Sequence, residues 1–270
     1  MKYKLLVIDV DGTLVNKNGK ISTEDKDAVI QVRRSGIPVC LCTGRAVKAC
    51  LGIITQLSLD GYHMFFDGAL VIEPQKGLEL YIQPIDSAVV REAVEFVHQN
   101  DIYFELFSAT HYFIEYESKF SEIRRKFYGI EPTLTYFNDL WQRERFTKAQ
   151  LITSTPQEVA KAQQFCAHFD GKLRFSSSRT PAYPGIDFIN VIDPQVSKGK
   201  ALEALTSHLG VSLAEVMAVG DGNNDIPLLT SAGLAVAMGD APDEVRAVAD
   251  HMTLDIDHSG LAVAIQKFLL

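Results

Sequence analysis

Two aspartates separated by one residue, in Asp9-Val10-Asp11-Gly12-Thr13, end an apolar run over residues 5–8. Like charges this close repel, and burial at the end of an apolar strand penalises both, so the pair needs something to hold it. A hard cation with oxygen ligands would do so. Mg²⁺ in that place would also neutralise a phosphate and let a carboxylate attack phosphorus. The alternative is an Asp-Gly turn with solvated acids.

Three further segments carry chemistry of the same kind. In Gly220-Asp221-Gly222-Asn223-Asn224-Asp225, carboxylates and amides crowd a glycine-rich turn after another apolar run. Asp221 and Asp225 could complete a metal site, and Asn224 could donate to a phosphate oxygen; an acidic surface turn is the plainer reading. The segment is not a calcium loop, because counting from Asp221 the required glycine and glutamate positions hold Ile226 and Ala232. Thr43-Gly44-Arg45 offers a hydroxyl and the N–H groups of a helix start, an anion cradle. Arg45 there could reach a phosphate or another part of a substrate, or the segment could be a simple capped helix. Ser197-Lys198-Gly199-Lys200 puts a lysine in the first turn of a helix, where the helix dipole disfavours it. Lys198 could bridge Asp9 and a phosphoryl group, or be solvated. Pro194 stands where a P-loop needs glycine. Together the four segments supply a nucleophile, carboxylates for a cation and fixed donors, the set that phosphoryl transfer requires.

The elements that must position these residues alternate strand and helix. Apolar runs at 5–10, 37–42, 62–66, 216–219 and 235–238 read as buried strands, with helices over 23–35, 44–58, 197–209, 225–231, 243–249 and 259–269. A hairpin is expected around residues 75–77. The alternation predicts a parallel sheet with helices on its faces, and each motif falls at or beyond the C-terminal end of a strand, where such sheets bind ligands. The stretch between differs. It predicts an amphipathic helix over 87–99, alternating strands at 103–107 and 112–116, a strand at 149–153, a helix over 157–168, and strands near 173–176 and 186–191. The expected division is 1–83 with 191–270 as one α/β domain and 84–190 as an inserted α+β domain.

Taken together, the motifs resemble the haloacid dehalogenase superfamily, and within it the Cof-type sugar-phosphatase-like branch. Asp9-Val-Asp11-Gly-Thr13 is similar to the family's first motif, Thr43-Gly-Arg45 to its second, Lys198-Gly to its third and Gly220-Asp-Gly-x-Asn224-Asp225 to its fourth. The resemblance implies a Rossmann-like core with a C2-type α+β cap, and a Mg²⁺-dependent phosphatase for a small phosphomonoester such as a sugar phosphate. It implies that Asp9 is the nucleophile and Asp11 the general acid and base. It further implies that Lys198 steadies Asp9, that Thr43, Gly44 and Asn224 hold phosphoryl oxygens, and that Asp9, Asp11 (through its carbonyl), Asp221 and Asp225 serve the metal. Phe66-Asp67-Gly68-Ala69 departs from the branch's usual Asn-Gly-Ala, which points to altered core–cap contacts or substrate preference at Asp67. A phosphomutase of the same branch, a receiver-like phosphoacceptor and a non-catalytic sugar-phosphate-binding protein are the alternatives.

Composition is consistent with this reading. The 270 residues are 47% hydrophobic and carry a net charge of −8, which argues against a nucleic-acid partner. No stretch reaches membrane-spanning length and none reads as a signal peptide, so a cytoplasmic location is expected. Cys40, Cys42, Cys50 and Cys166 read as buried reduced thiols, the histidines show no ligand spacing, and the aromatics of 103–116 read as cap core. Residues 176–184 read as a polar loop in which Arg179 is a candidate substrate contact.

Overall fold

The structure, a computed structural model, describes residues 2–138, 140–179 and 183–270; for 127, 128, 178 and 179 only the backbone is described. The chain forms two compact units, one of residues 1–45, 50–82 and 197–270, the other of 46–49 and 83–196.

The first unit holds an eight-stranded sheet. Its strands are β1 (Leu5–Asp9), β2 (Val39–Cys42), β3 (His63–Phe65), β4 (Leu70–Glu73), β5 (Leu78–Ile82), β12 (Val216–Gly220), β13 (Leu234–Ala237) and β14 (His251–Met252). The order is β14-β13-β12-β1-β2-β3-β4-β5. Pairing is parallel from β14 through β3 and antiparallel across β3-β4-β5, so the expected parallel sheet carries an antiparallel edge. Strands β1, β2 and β12 are buried at every position, which is why they read as continuous apolar runs rather than alternating ones. Helices α1 (Thr23–Arg34), α2 (Val47–Gln56), α6 (Lys198–Leu209), α7 (Ile226–Ser231) and α8 (Asp243–Arg246) lie between them in the chain, and α9 (Gly260–Phe268) follows the last strand. One face of the sheet buries Leu5, Val7, Cys40, Cys42 and Ala218 against Leu202 and Leu205 of α6 and Leu228 of α7.

The second unit is built on a six-stranded sheet ordered β10-β11-β9-β6-β7-β8. Its strands are β6 (Phe104–Phe107), β7 (Tyr112–Ile114), β8 (Thr133–Leu134), β9 (Lys148–Thr153), β10 (Arg174–Arg179) and β11 (Asp187–Ile192). Helices α3 (Ser87–Asn100) and α5 (Pro156–His168) place Val90, Val94, Val97, Ala162 and Phe165 in one core with Phe104, Leu106, Leu151 and Val191 of the sheet. A further helix, α4 (Lys119–Tyr128), was not expected from the sequence. Residues 176–179, expected as loop, are strand: Ser178 and Arg179 pair with Phe188 and Asp187 of β11. Serine-rich edge strands lack the apolar alternation that marks a half-buried one. No helix among the described residues is long and apolar enough to cross a membrane.

Candidate active site

Parallel register brings the motifs to one sheet edge. Asp9, the last residue of β1, lies opposite Cys42 of β2, so Thr43 begins one step beyond it. On the other side β1 pairs with β12, whose last residue Gly220 leads into Asp221. Gly12 has φ +92° in the turn after β1, and a Cβ there would stand 2.3 Å from a carboxylate oxygen of Asp221. Thr13 Oγ1 donates to Asp221 Oδ1 at 2.8 Å, tying the first turn to the last motif.

Lys198 is the first residue of α6, capped by Ser197, whose Oγ accepts from Gly199 N. Its side chain is sealed from solvent, and its ammonium donates to Asp9 Oδ1 and Asp225 Oδ1, each at 2.6 Å. A third donation reaches the Cys42 carbonyl at 3.3 Å. Burial alone would depress its pKa, but the charges of Asp225 and Asp9 outweigh burial and hold it well above the usual lysine range. Asp225, fully buried, also accepts the backbone N–H groups of Asp221 and Gly222 at its other oxygen. It therefore organises both the lysine and its own loop.

Oxygens of Asp9, Asp221 and Asp225 lie within 4.8 Å of one another. Burial, then the neighbouring charge of Asp225, raises Asp9 well above the carboxylate range, against the pull of Lys198. Burial likewise lifts Asp221 to about 7, although the Thr13 hydrogen bond lowers it. Three carboxylates share one buried ammonium, an excess of negative charge built of hard oxygen donors. That set fits a divalent cation such as Mg²⁺.

Thr43 is buried, and its hydroxyl accepts the Arg45 N–H at 3.1 Å. Asn224 donates from Nδ2 to Asp67 Oδ1 at 2.8 Å. The Asp11 carboxylate, 61% exposed, is held by Arg45 through both oxygens, at 2.9 and 2.5 Å. Arg45, expected to reach a phosphate or substrate, thus meets Asp11. Arg179 ends β10, and its side chain lies outside the described residues. The sequence alone points to no role for Thr13, and it marks Asp67 only as a departure from the family pattern, not as a neighbour of the Thr43 and Asn224 motifs.

The profile of the haloacid dehalogenase-like hydrolases matches residues 6–265. The chain belongs to this family. One relative, the phosphatase YwpJ of Bacillus subtilis, is 26% identical over 287 residues, 98% of this chain and 100% of that one. The Arabidopsis thaliana chloroplast protein named endoribonuclease YBEY is 28% identical over 289 residues; these cover 99% of this chain and 47% of that longer protein. A crystal structure of a haloacid dehalogenase-like hydrolase from Bacteroides thetaiotaomicron superposes with TM-score 0.83 at 25% identity, covering 98% of this chain and 99% of that one. Several full-length bacterial relatives in the family are named phosphatases, the enzyme class to which this chain is assigned.

Proposed function

We propose that this hydrolase cleaves a small phosphomonoester, a sugar phosphate being the favoured class, by way of an aspartyl phosphate on Asp9. The observation that carries this reading is the buried ammonium of Lys198 clamped between Asp9 and Asp225, beside Asp221. A buried lysine held by carboxylates fixes the rotamer of Asp9 and keeps one of its oxygens directed, as a nucleophile needs.

In the first step an Asp9 carboxylate oxygen attacks phosphorus, the bond from phosphorus to the ester oxygen breaks, and Asp11 gives its proton to the departing alkoxide. In the second, water attacks phosphorus, Asp11 takes a proton from it, and the bond between Asp9 and phosphorus breaks, releasing orthophosphate and the free carboxylate. Thr43, Gly44 and Asn224 hold phosphoryl oxygens with O–H and N–H donors throughout. Mg²⁺, held by Asp9, Asp221 and the Asp11 carbonyl with Asp225 in support, would neutralise phosphoryl charge. Arg45, which pairs with both oxygens of the Asp11 carboxylate, must release one of them before Asp11 can carry the proton it gives to the alkoxide. The second unit, Arg179 included, is proposed as the domain that selects the alcohol portion of the substrate.

Phosphate release from a panel of hexose phosphates, pentose phosphates and nucleotides, with Mg²⁺, with EDTA and with Asp9→Asn, tests the reading. Release that requires Mg²⁺ and is lost in the variant is expected. Undiminished release by Asp9→Asn would exclude Asp9 as nucleophile.

A further inference from the structure

Asp67 lies in a turn where Phe66, Asp67 and Gly68 all have positive φ, 53°, 57° and 95°. Its side chain is buried, bonded to Asn224 and packed beside Gly44, and its backbone meets Thr43, so the residue borders each group proposed for the phosphate cradle. The backbone N–H of Asp67 donates to the Thr43 carbonyl at 3.0 Å. Oδ1 accepts Asn224 Nδ2 at 2.8 Å. Both carboxylate oxygens approach Gly44 so closely that a Cβ on that residue would stand 3.0 and 3.1 Å from them. The steps above give Asp67 no part.

A carboxylate in this place does two things. As an acceptor only, it fixes the Asn224 amide with its nitrogen inward. It also sets a negative charge beside the N–H groups meant for phosphate oxygens, and two like charges about 4 Å apart repel by roughly a factor of five in affinity even at the dielectric of water, and more in a buried site. Because the reading of the cradle as a phosphoryl site underlies it, this inference rests on the proposed function. We propose that Asp67 deliberately weakens the cradle's hold on phosphate, so that orthophosphate leaves readily and discrimination falls to contacts with the alcohol portion of the ester.

Left-handed backbone is tolerated by Asn as readily as by Asp. Asp67→Asn therefore keeps the turn and an acceptor for Asn224 while removing the charge. Asp67→Gly, which this φ accepts without strain, removes both and serves if the first variant folds poorly. The probe is inorganic phosphate, titrated calorimetrically into Mg²⁺-saturated full-length protein. Asp67→Asn should bind it about tenfold more tightly than the wild type, and Asp67→Gly should also bind it more tightly. Equal or weaker binding by the variants, or no binding by any of the proteins, would overturn the proposal. Tighter binding by the variants combined with no turnover of any phosphomonoester by the wild type would count against the phosphatase reading and leave the anion-weakening role of Asp67 standing.

Discussion

Lys198 stands where the helix dipole disfavours a cation, at the first position of α6, and is fully buried there. The carboxylates of Asp9 and Asp225 offset both costs. Replacing the lysine by methionine leaves those acids uncompensated, so Lys198→Met should lose about 10³-fold in turnover. In EDTA it should lose about 3 kcal/mol of stability, and Mg²⁺ should restore part of that; chemical denaturation in each condition reads the difference. A second buried group makes its own pH dependence. His63 accepts the Leu41 N–H at Nδ1, and its Nε2 finds no partner among the described residues. Burial pushes its pKa down from 6.5 to about 4. Between those values the unfolded chain holds a proton that the folded one lacks. The contribution is therefore complete above about pH 6.5 and is lost as pH falls, reaching about 3 kcal/mol by pH 4. His63→Asn, which keeps an acceptor near Nδ1, should flatten the decline of stability between those pH values. The carboxylates and Lys198 were legible at this scale because their types and order are specific. The partners of Asp67 and Arg45 were not, because they depend on turns whose backbone no pattern of side chains reveals.

At the scale of elements, the site depends on how closely helices approach one another. A Cβ on Gly199 would stand 2.5 Å from the Pro227 carbonyl, so α6 comes against α7 only because that residue is glycine. A longer-range tie joins α1 to α9. Asp25 of α1 accepts the Ala262 N–H at 2.8 Å and the hydroxyl of Ser22, the cap of α1, at 2.7 Å, so one buried carboxylate satisfies the first turn of α9 and ties it to the start of α1. Asp25→Ala should cost about 2 kcal/mol in denaturant unfolding, with the activity of the folded fraction retained. Helix and strand positions in the first unit were readable because buried parallel strands give continuous apolar runs between capped helices. Helix α4 is not legible in the sequence although Ser118 and Ser121 form a capping box at its start, since only Phe120 and Ile123 supply its buried apolar face. Strand β14 has only two residues, too short for any periodicity to show, whereas the helix expected over 243–249 is present as α8 but ends at Arg246.

Across the whole molecule, the net charge of −8 is concentrated in part where it is most costly, in a buried cluster that one lysine does not neutralise. A divalent cation bound only by the folded chain should therefore stabilise it by mass action. At about a hundred times its dissociation constant, Mg²⁺ should add about 2.7 kcal/mol, and Asp221→Asn should remove most of that gain in thermal unfolding. The order of the motifs along the chain already implied one metal-assisted phosphoryl site. The division of the chain was less legible at its second boundary: β11 runs to Ile192 as an interior strand of the second sheet, and that unit continues to residue 196. The central claim is that the phosphoryl group passes through Asp9, and trapping it there is the most direct measurement. An aryl phosphate needs little proton assistance to leave, so Asp11→Asn should complete the first step and stall before hydrolysis. Acid quench after mixing with a phosphorus-labelled aryl phosphate and Mg²⁺, followed by peptide mapping, should place label on the peptide containing Asp9 and none on the Asp9→Asn, Asp11→Asn double variant. Release of phosphate by the wild type with no label on Asp9 at any time would contradict the covalent route.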